Sequence, residues 1–226
     1  VSTIRLSYGD TNLLLGFDLL VANDDEVIYR YPKKINSLMI PASVLKIATA
    51  LAAQHYLGTE FRYHTDFFLD RNHSLLIRAS GDPFLVSEVW ATVAKNISHI
   101  KEVPKNLKKI IFDNSLFEEK IKIPGIEFSS NPYDALNGAL VVNFNTIFLK
   151  VQSDGLIFSA ENQTPLTPSA RKIGKNLPEG SHRISIPFEF GITYAGELIR
   201  NFFDQEGFSF DSENVSLRSV RSEDRL

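Results

Sequence analysis

Apolar and polar residues alternate along the chain with two different periods, which predict strands in some segments and helices in others. Apolar runs that flank turn residues predict three β-hairpins, over residues 16–32, 61–80 and 145–160. Two further strands are predicted within residues 108–117 and 181–190. The chain is therefore expected to contain a largely antiparallel sheet.

Helical spacing of apolar residues predicts three helices with recognisable ends. The first covers about residues 43–56 and ends at Gly58, which suits a left-handed cap. The second begins at Ser87, the expected N-cap, and the third covers residues 193–206 and stops at Gly207. Hairpins with separated helices predict an α/β (α+β) fold with an antiparallel sheet.

Size and charge narrow the class of protein. The chain has 226 residues, 43% of them hydrophobic, which is enough to bury a substantial core. Its formal net charge of -3 gives no electrostatic footprint for nucleic acid, so we predict no nucleic-acid partner. No apolar run reaches the roughly 18 residues of a membrane span, and no signal-peptide pattern opens the chain.

The residues that bind metals and cofactors are scarce. There are no cysteines, which excludes disulfides, thiol nucleophiles and cysteine-based metal sites. The five histidines lack the paired spacing of a metal site. We therefore predict neither a metal nor a cofactor.

The stretch PASVLKIATALAA, residues 41–53, places one serine and one lysine in an otherwise small and apolar helix. Ser43 and Lys46 are three residues apart, so they share a helix face and are able to touch. A helix that is hydrophobic nearly all round is expected to be buried. Desolvation and the positive helix end would both disfavour a charged amine. A neutral Lys46 amine beside Ser43 is then a general base for a nucleophilic serine.

A structural interpretation of the same pair stays open. Ser43 could serve only as an N-cap, with the Lys46 ammonium reaching water along its alkyl chain. A capping box, however, has Glu or Gln three residues after the cap, and a lysine there opposes the helix dipole. Capping therefore does not explain Lys46.

The stretch resembles the S-x-x-K nucleophile motif of penicillin-binding proteins and serine β-lactamases. Four more segments, in order between about residues 14 and 215, resemble the D-alanyl-D-alanine carboxypeptidase/endopeptidase branch, the class C low-molecular-mass penicillin-binding proteins. These segments are RASGDPFL (78–85), IIFDNSLFEEKIKIPGIE (110–127), NPYDALNGALVVNFNT (131–146) and ITYAGELIRNFFDQEGF (192–208).

The resemblance implies a penicillin-binding, β-lactamase-like transpeptidase fold. We expect a core from residues 1–62 and 133–226 and a small inserted subdomain from residues 63–132. The implied activity is that of a serine-type DD-peptidase, a cell-wall hydrolase of the periplasm or another extracytoplasmic space. Ser43 would attack the bond between two D-alanines of a peptidoglycan stem peptide with Lys46 as base, and β-lactam antibiotics would be covalent inhibitors.

Two motifs of that family are not matched. The second, Ser-x-Asn, corresponds to Val141-Val142-Asn143, in which Asn143 would hold a substrate amide but no hydroxyl is available to relay a proton. A literal Ser-x-Asn at residues 129–131 is interpreted as a loop coincidence. For the third motif, Lys-Thr-Gly, the nearest string is residues 172–174, which comes too early in the chain.

Three hypotheses follow. The first is a DD-peptidase that acts through an acyl-enzyme on Ser43, with carboxypeptidase and endopeptidase action both open. The second is a catalytically inactive relative that binds peptidoglycan or a partner protein. The third is a β-lactamase, which the Gly-Asp-Pro segment and the expected inserted subdomain argue against.

Overall fold

The structure is a computed structural model that describes residues 17–20, 27–31, 42–117, 123, 125–127, 129–211 and 216–218. The chain divides into two compact units, Val1–Phe61 and Arg62–Leu226.

In the first unit, strands β1 (Phe17–Leu20) and β2 (Val27–Tyr31) form an antiparallel hairpin. This confirms the first predicted hairpin, whose turn lies outside the described residues. A 3-10 turn at Ala42–Val44 leads into helix α1 (Leu45–Leu57). The helix ends as predicted, because Gly58 has a φ of 80° and its N–H donates to the Gln54 carbonyl at 3.0 Å.

The second unit contains two larger sheets and three helices among its described residues. Its elements are, in chain order, β3 (Thr65–Leu69), β4 (Leu75–Ala79), α2 (Ser87–Ser98), β5 (Asn106–Leu107), β6 (Ile110–Asp113), β7 (Thr146–Val151), β8 (Ile157–Ser159), α3 (Pro168–Gly174), β9 (Gly180–Ser185), α4 (Gly191–Gln205), β10 (Ser209–Phe210) and β11 (Ser216–Arg218).

The first sheet has the strand order β11-β6-β4-β3. Strands β3 and β4 form the second predicted hairpin, whereas β4 and β11 both pair in parallel with β6. Parallel neighbours require a crossover, and α2 lies in the connection from β4 to β6. The sheet is therefore mixed, where the sequence predicted an antiparallel one.

The second sheet is antiparallel, with the order β8-β7-β9. Its β7–β8 pair is the third predicted hairpin, and Gly155 in the turn has a φ of 80°. Helix α3 packs closely on this sheet, since a Cβ added at Gly174 would lie 2.9 Å from Ile157 Cγ2. Helix α3 was not predicted from the sequence, although Thr167 caps it and Pro168 follows at its first position.

Helices α2 and α4 bury apolar faces in one core with the strands. Trp90 on α2 is fully buried and meets the edge of Phe67 on β3, with the ring centroids 6.2 Å apart. Leu198 and Phe203 lie on the predicted apolar face of α4 and are also fully buried. The amphipathic spacing of both helices is thus confirmed.

The division at residues 61 and 62 falls beside the predicted boundary at residues 62 and 63. It does not separate residues 63–132 from residues 133–226, because Phe112 of β6 and Leu198 of α4 share one core. The inserted subdomain stays a prediction.

Three of the segments that carry the family resemblance meet at Gly81. Its N–H donates to the Ala139 carbonyl at 2.9 Å, and its φ of 83° is one that glycine adopts without strain. A Cβ at this position would lie 2.7 Å from Cζ of Phe117. Glycine therefore lets the Phe117 ring pack against the backbone of the Gly-Asp-Pro turn.

Gly81→Ala is expected to lower the free energy of unfolding by about 2–3 kcal/mol, through the left-handed φ and the contact with Phe117. Gly207→Ala is the matched control, because Gly207 has a φ of 79° and, its chain neighbours apart, no other described residue has an atom within 4 Å of its Cβ position; we expect about 1 kcal/mol. Denaturant unfolding followed by the fluorescence of Trp90 measures both. Equal losses in the two variants would show that Phe117 does not restrict residue 81.

Candidate active site

Ser43 and Lys46 lie one turn apart at the start of α1, as their spacing predicts. The Lys46 Nζ donates to the Ser43 Oγ at 3.4 Å. Val44, rather than Ser43, occupies the N-cap position, and no side chain caps the helix there. The Ser43 hydroxyl is thus directed to the lysine and not to the backbone of the helix. This separation is slightly longer than the roughly 2.6–3.2 Å typical of a nucleophile and its base, which is often looser when no substrate is bound.

The residue before the serine has an unusual backbone conformation. Ala42 has a φ of 46°, which is left-handed and costs an alanine roughly 1–2 kcal/mol. Strain of this kind concentrates at functional sites, where the surrounding structure holds it.

The predicted burial of α1 is not seen among the described residues. Every residue from Ala42 to Leu57 is exposed, and Val44, Ile47 and Leu51 are 67%, 64% and 61% exposed. Apolar composition indicates what a helix is able to bury, not that another surface covers it. The contact between the two side chains, rather than burial of the helix, is therefore what supports the pair.

Asn143 lies in the second unit and is bonded within the interior. Its Oδ1 accepts from the backbone N–H of Ser87 at 2.8 Å, and its Nδ2 donates to the Ser87 Oγ at 3.0 Å. The Nδ2 also lies 3.5 Å from the hydroxyl of Tyr194. Burial is the main cause that raises the pKa of Tyr194 to about 12, so this hydroxyl stays protonated. These bonds support a structural role for Asn143, and its contact with a substrate amide stays a prediction.

The same bonds correct the interpretation of Ser87. The residue begins α2 as predicted, but Val86 occupies the N-cap position. Ser87 is instead the partner of Asn143, and its hydroxyl lies 2.8 Å from that of Thr164. Sequence reasoning missed this network because no local pattern marks residues that meet across the fold.

Asn143 also begins a rare turn. Asn143, Phe144 and Asn145 have φ values of 49°, 58° and 53°, three consecutive left-handed residues without a glycine. Asn145 is tied inward by its Nδ2, which donates to the Leu136 carbonyl at 2.9 Å. The central Phe144 is exposed and meets Phe84 edge to face, with the ring centroids 6.1 Å apart. The two anchored asparagines therefore hold the turn and leave the ring of Phe144 at the surface.

The two strings that imitate family motifs have local roles. In residues 129–131, the Ser129 hydroxyl donates to Asp134, and the Asn131 Oδ1 accepts from the Tyr133 N–H at 3.0 Å. Residues 172–174 lie in helix α3, whereas the Lys-Thr-Gly motif is expected on a strand. Both arrangements agree with the sequence interpretation of these strings.

Comparison with known families shows where the chain belongs. The sequence model of the D-Ala-D-Ala carboxypeptidase 3 (S13) family matches residues 11–171. The chain is a member of this family. The predicted resemblance to the low-molecular-mass penicillin-binding proteins is thereby confirmed, and Ser43, Lys46 and Asn143 all lie within the matched residues.

Solved structures confirm the predicted fold of this S13-family chain. It is similar to penicillin binding protein 4 (dacB) from Haemophilus influenzae, with a TM-score of 0.60 and 16% identity over 85% of this chain and 50% of that chain. The same protein complexed with a novel β-lactam gives a TM-score of 0.54 and 15% identity, over 88% and 49%. The S13-family chain thus spans about half the length of these structures. No curated protein matches it significantly.

Within the described residues of this S13-family chain, no group of three or more His, Asp or Glu side chains is arranged to hold a metal ion. No helix in the described ranges has the length and apolar character needed to cross a membrane.

Asn143→Ala is expected to lower the free energy of unfolding by about 2–4 kcal/mol, because it leaves the buried Ser87 N–H without its acceptor. Asn131→Ala is the control, an exposed asparagine that accepts one backbone N–H, for which we expect about 1 kcal/mol. Guanidinium unfolding of both variants checks this. Unchanged stability with a loss of catalytic turnover would instead favour a contact of Asn143 with substrate.

Proposed function

We propose that this S13-family chain acts as a serine-type D-alanyl-D-alanine peptidase, with Ser43 as the nucleophile and Lys46 as its base. The contact between Lys46 Nζ and Ser43 Oγ, 3.4 Å at the start of α1, carries the proposal. It lies within the residues that match a family of D-Ala-D-Ala carboxypeptidases. The substrate is the stem peptide of peptidoglycan, which places the reaction outside the cytoplasm.

The proposed reaction needs only these two side chains and water to balance. Lys46 takes the proton of the Ser43 hydroxyl while the Oγ forms a bond to the carbonyl carbon between two D-alanines, a step that requires the amine in its uncharged form. The C–N bond then breaks, and the Lys46 ammonium returns the proton to the leaving amine. Water hydrolyses the resulting ester and regenerates Ser43. The leaving amine is a terminal D-alanine in carboxypeptidase action and a cross-linking residue in endopeptidase action.

The position of Ser43 supports stabilisation of the developing negative charge. The N-terminus of α1 carries the positive end of the helix dipole. The backbone N–H of Ser43 is proposed as one donor of an oxyanion hole, a type of group whose loss commonly costs about 100-fold to 1,000-fold in rate. A β-lactam would acylate the same serine and remain attached.

The second candidate function is that of an inactive relative that binds peptidoglycan through the surface around Ser43 and Lys46. Val141, at the position of the second motif, has no hydroxyl, so Lys46 alone would have to return the proton to the leaving amine. Both polar atoms of the Asn143 side-chain amide are hydrogen-bonded to Ser87 in the interior, so the amide is not free to bind a substrate. These two observations favour this candidate over the β-lactamase hypothesis.

Intact-protein mass spectrometry after incubation with benzylpenicillin tests the proposal. We expect a mass increase of one penicillin that is absent in Ser43→Ala and retained in Ser129→Ala, which removes the serine of the literal Ser-x-Asn string. In Lys46→Arg the guanidinium does not give up its proton and so cannot act as the base, and the acylation rate should fall by about 100-fold or more.

Two results would contradict the proposal. An adduct that persists in Ser43→Ala would remove Ser43 from the mechanism. The absence of any adduct, with peptidoglycan retained equally by the unaltered chain and Ser43→Ala in a pull-down, would establish the inactive binding protein instead.

A further inference from the structure

A groove in the second unit lies between two helices and a turn. Its walls are the first turn of α2, the last turn of α4 and the turn over residues 161–165, and it encloses about 450 Å³. Sites for small ligands commonly enclose about 300–1,000 Å³. The groove is therefore large enough for one or two sugar rings or a short peptide.

The lining residues indicate the chemistry of a ligand. Ala91 and the largely buried Phe202 supply apolar surface, whereas the side-chain amides of Asn162, Gln163 and Gln205 are exposed around it. Glu88 also lines the groove, and none of the described residues in its lining is Lys or Arg. The groove therefore presents three neutral amides and one carboxylate over an apolar floor.

Hydrogen bonds hold the walls of the groove in place. The Thr164 hydroxyl lies 2.8 Å from that of Ser87 and so ties the turn to the start of α2. The Thr164 N–H donates to the Glu161 carbonyl at 3.1 Å within the turn. On α4, the Gln205 Nε2 donates to the Asn201 Oδ1 at 2.7 Å, which orients the Gln205 amide. The groove is thus formed before any ligand arrives.

We propose that this groove binds an N-acetylated amino sugar of the peptidoglycan glycan strand. A side-chain amide both donates and accepts hydrogen bonds, as hydroxyl and acetamido groups require. The apolar floor matches the C–H face of a pyranose ring. This inference rests on the proposed function, because the glycan strand belongs to peptidoglycan, whose stem peptide is the proposed substrate.

The stem peptide itself suits the groove less well. Its free carboxylates would be repelled by Glu88, and no cation in the described lining would compensate. Extended peptides commonly pair with the edge of a sheet. The residues lining this groove belong to helices and a turn, so they offer no strand edge.

Nuclear magnetic resonance of the 15N-labelled chain, titrated with N,N′-diacetylchitobiose, tests the inference. We expect saturable shifts of the side-chain NH2 signals of Asn162, Gln163 and Gln205. Gln205→Ala should raise the Kd about 5-fold, the effect of one lost hydrogen bond of about 1 kcal/mol. Gln152→Ala, an exposed glutamine in the β7–β8 turn, is the matched control and should leave the Kd unchanged.

Three results would overturn the inference. The first is the absence of any shift of these amides at about 20 mM sugar, far above a Kd of ~1 mM. The second is equal shifts with cellobiose, which lacks the acetamido groups, and the third is shifts with a stem peptide and none with the sugar.

Failure of the proposed peptidase function is distinguished from failure of sugar binding by the penicillin experiment. Sugar binding does not depend on Ser43, so a chain without a penicillin adduct that still binds the sugar refutes only the peptidase.

Discussion

The hydrogen bonds between Asn143 and Ser87 are the constraint on which the second unit most depends. They join residues 56 positions apart, and both partners are buried. Ser87 begins the helix that crosses from β4 to β6, and Asn143 begins the turn that leads into β7. One amide side chain therefore fixes the start of α2, which connects two strands of the mixed sheet, and the turn that precedes β7 of the antiparallel sheet. A buried amide with its partners satisfied is suited to this, because each unmade bond would be costly.

Much of the secondary structure was predictable because its determinants are local. The turn at Ser153-Asp154-Gly155 specifies its hairpin within a few residues, and the apolar spacing of α2 and α4 specifies which face is buried. Helix α3 was missed because its seven residues are too few to establish a helical period. The parallel pairing of β6 with β4 depends on contacts distant in sequence, which alternation within one strand does not reveal.

The features of the candidate active site likewise divide into local ones that the sequence predicts and long-range ones that it does not. The contact between Ser43 and Lys46 follows from helix geometry over three residues and was predictable. The exposure of α1 was not, since burial depends on what packs against a helix rather than on its own residues. The bonds of Asn143 were likewise beyond prediction, because its partners Ser87 and Tyr194 lie 56 and 51 residues away.

The residue types in the left-handed turn at residues 143–145 differ in how well they suit its backbone conformation. Asparagine tolerates this conformation, so both ends of the turn are occupied by a residue type that suits it. Glycine would suit the centre, yet the chain has Phe144 there, at a cost of about 1 kcal/mol or more. Folding alone would select against a large exposed ring at a position where it both strains the backbone and leaves apolar surface in water. The edge-to-face contact with Phe84 recovers part of that cost, so the two aromatic residues are expected to change together when related sequences diverge.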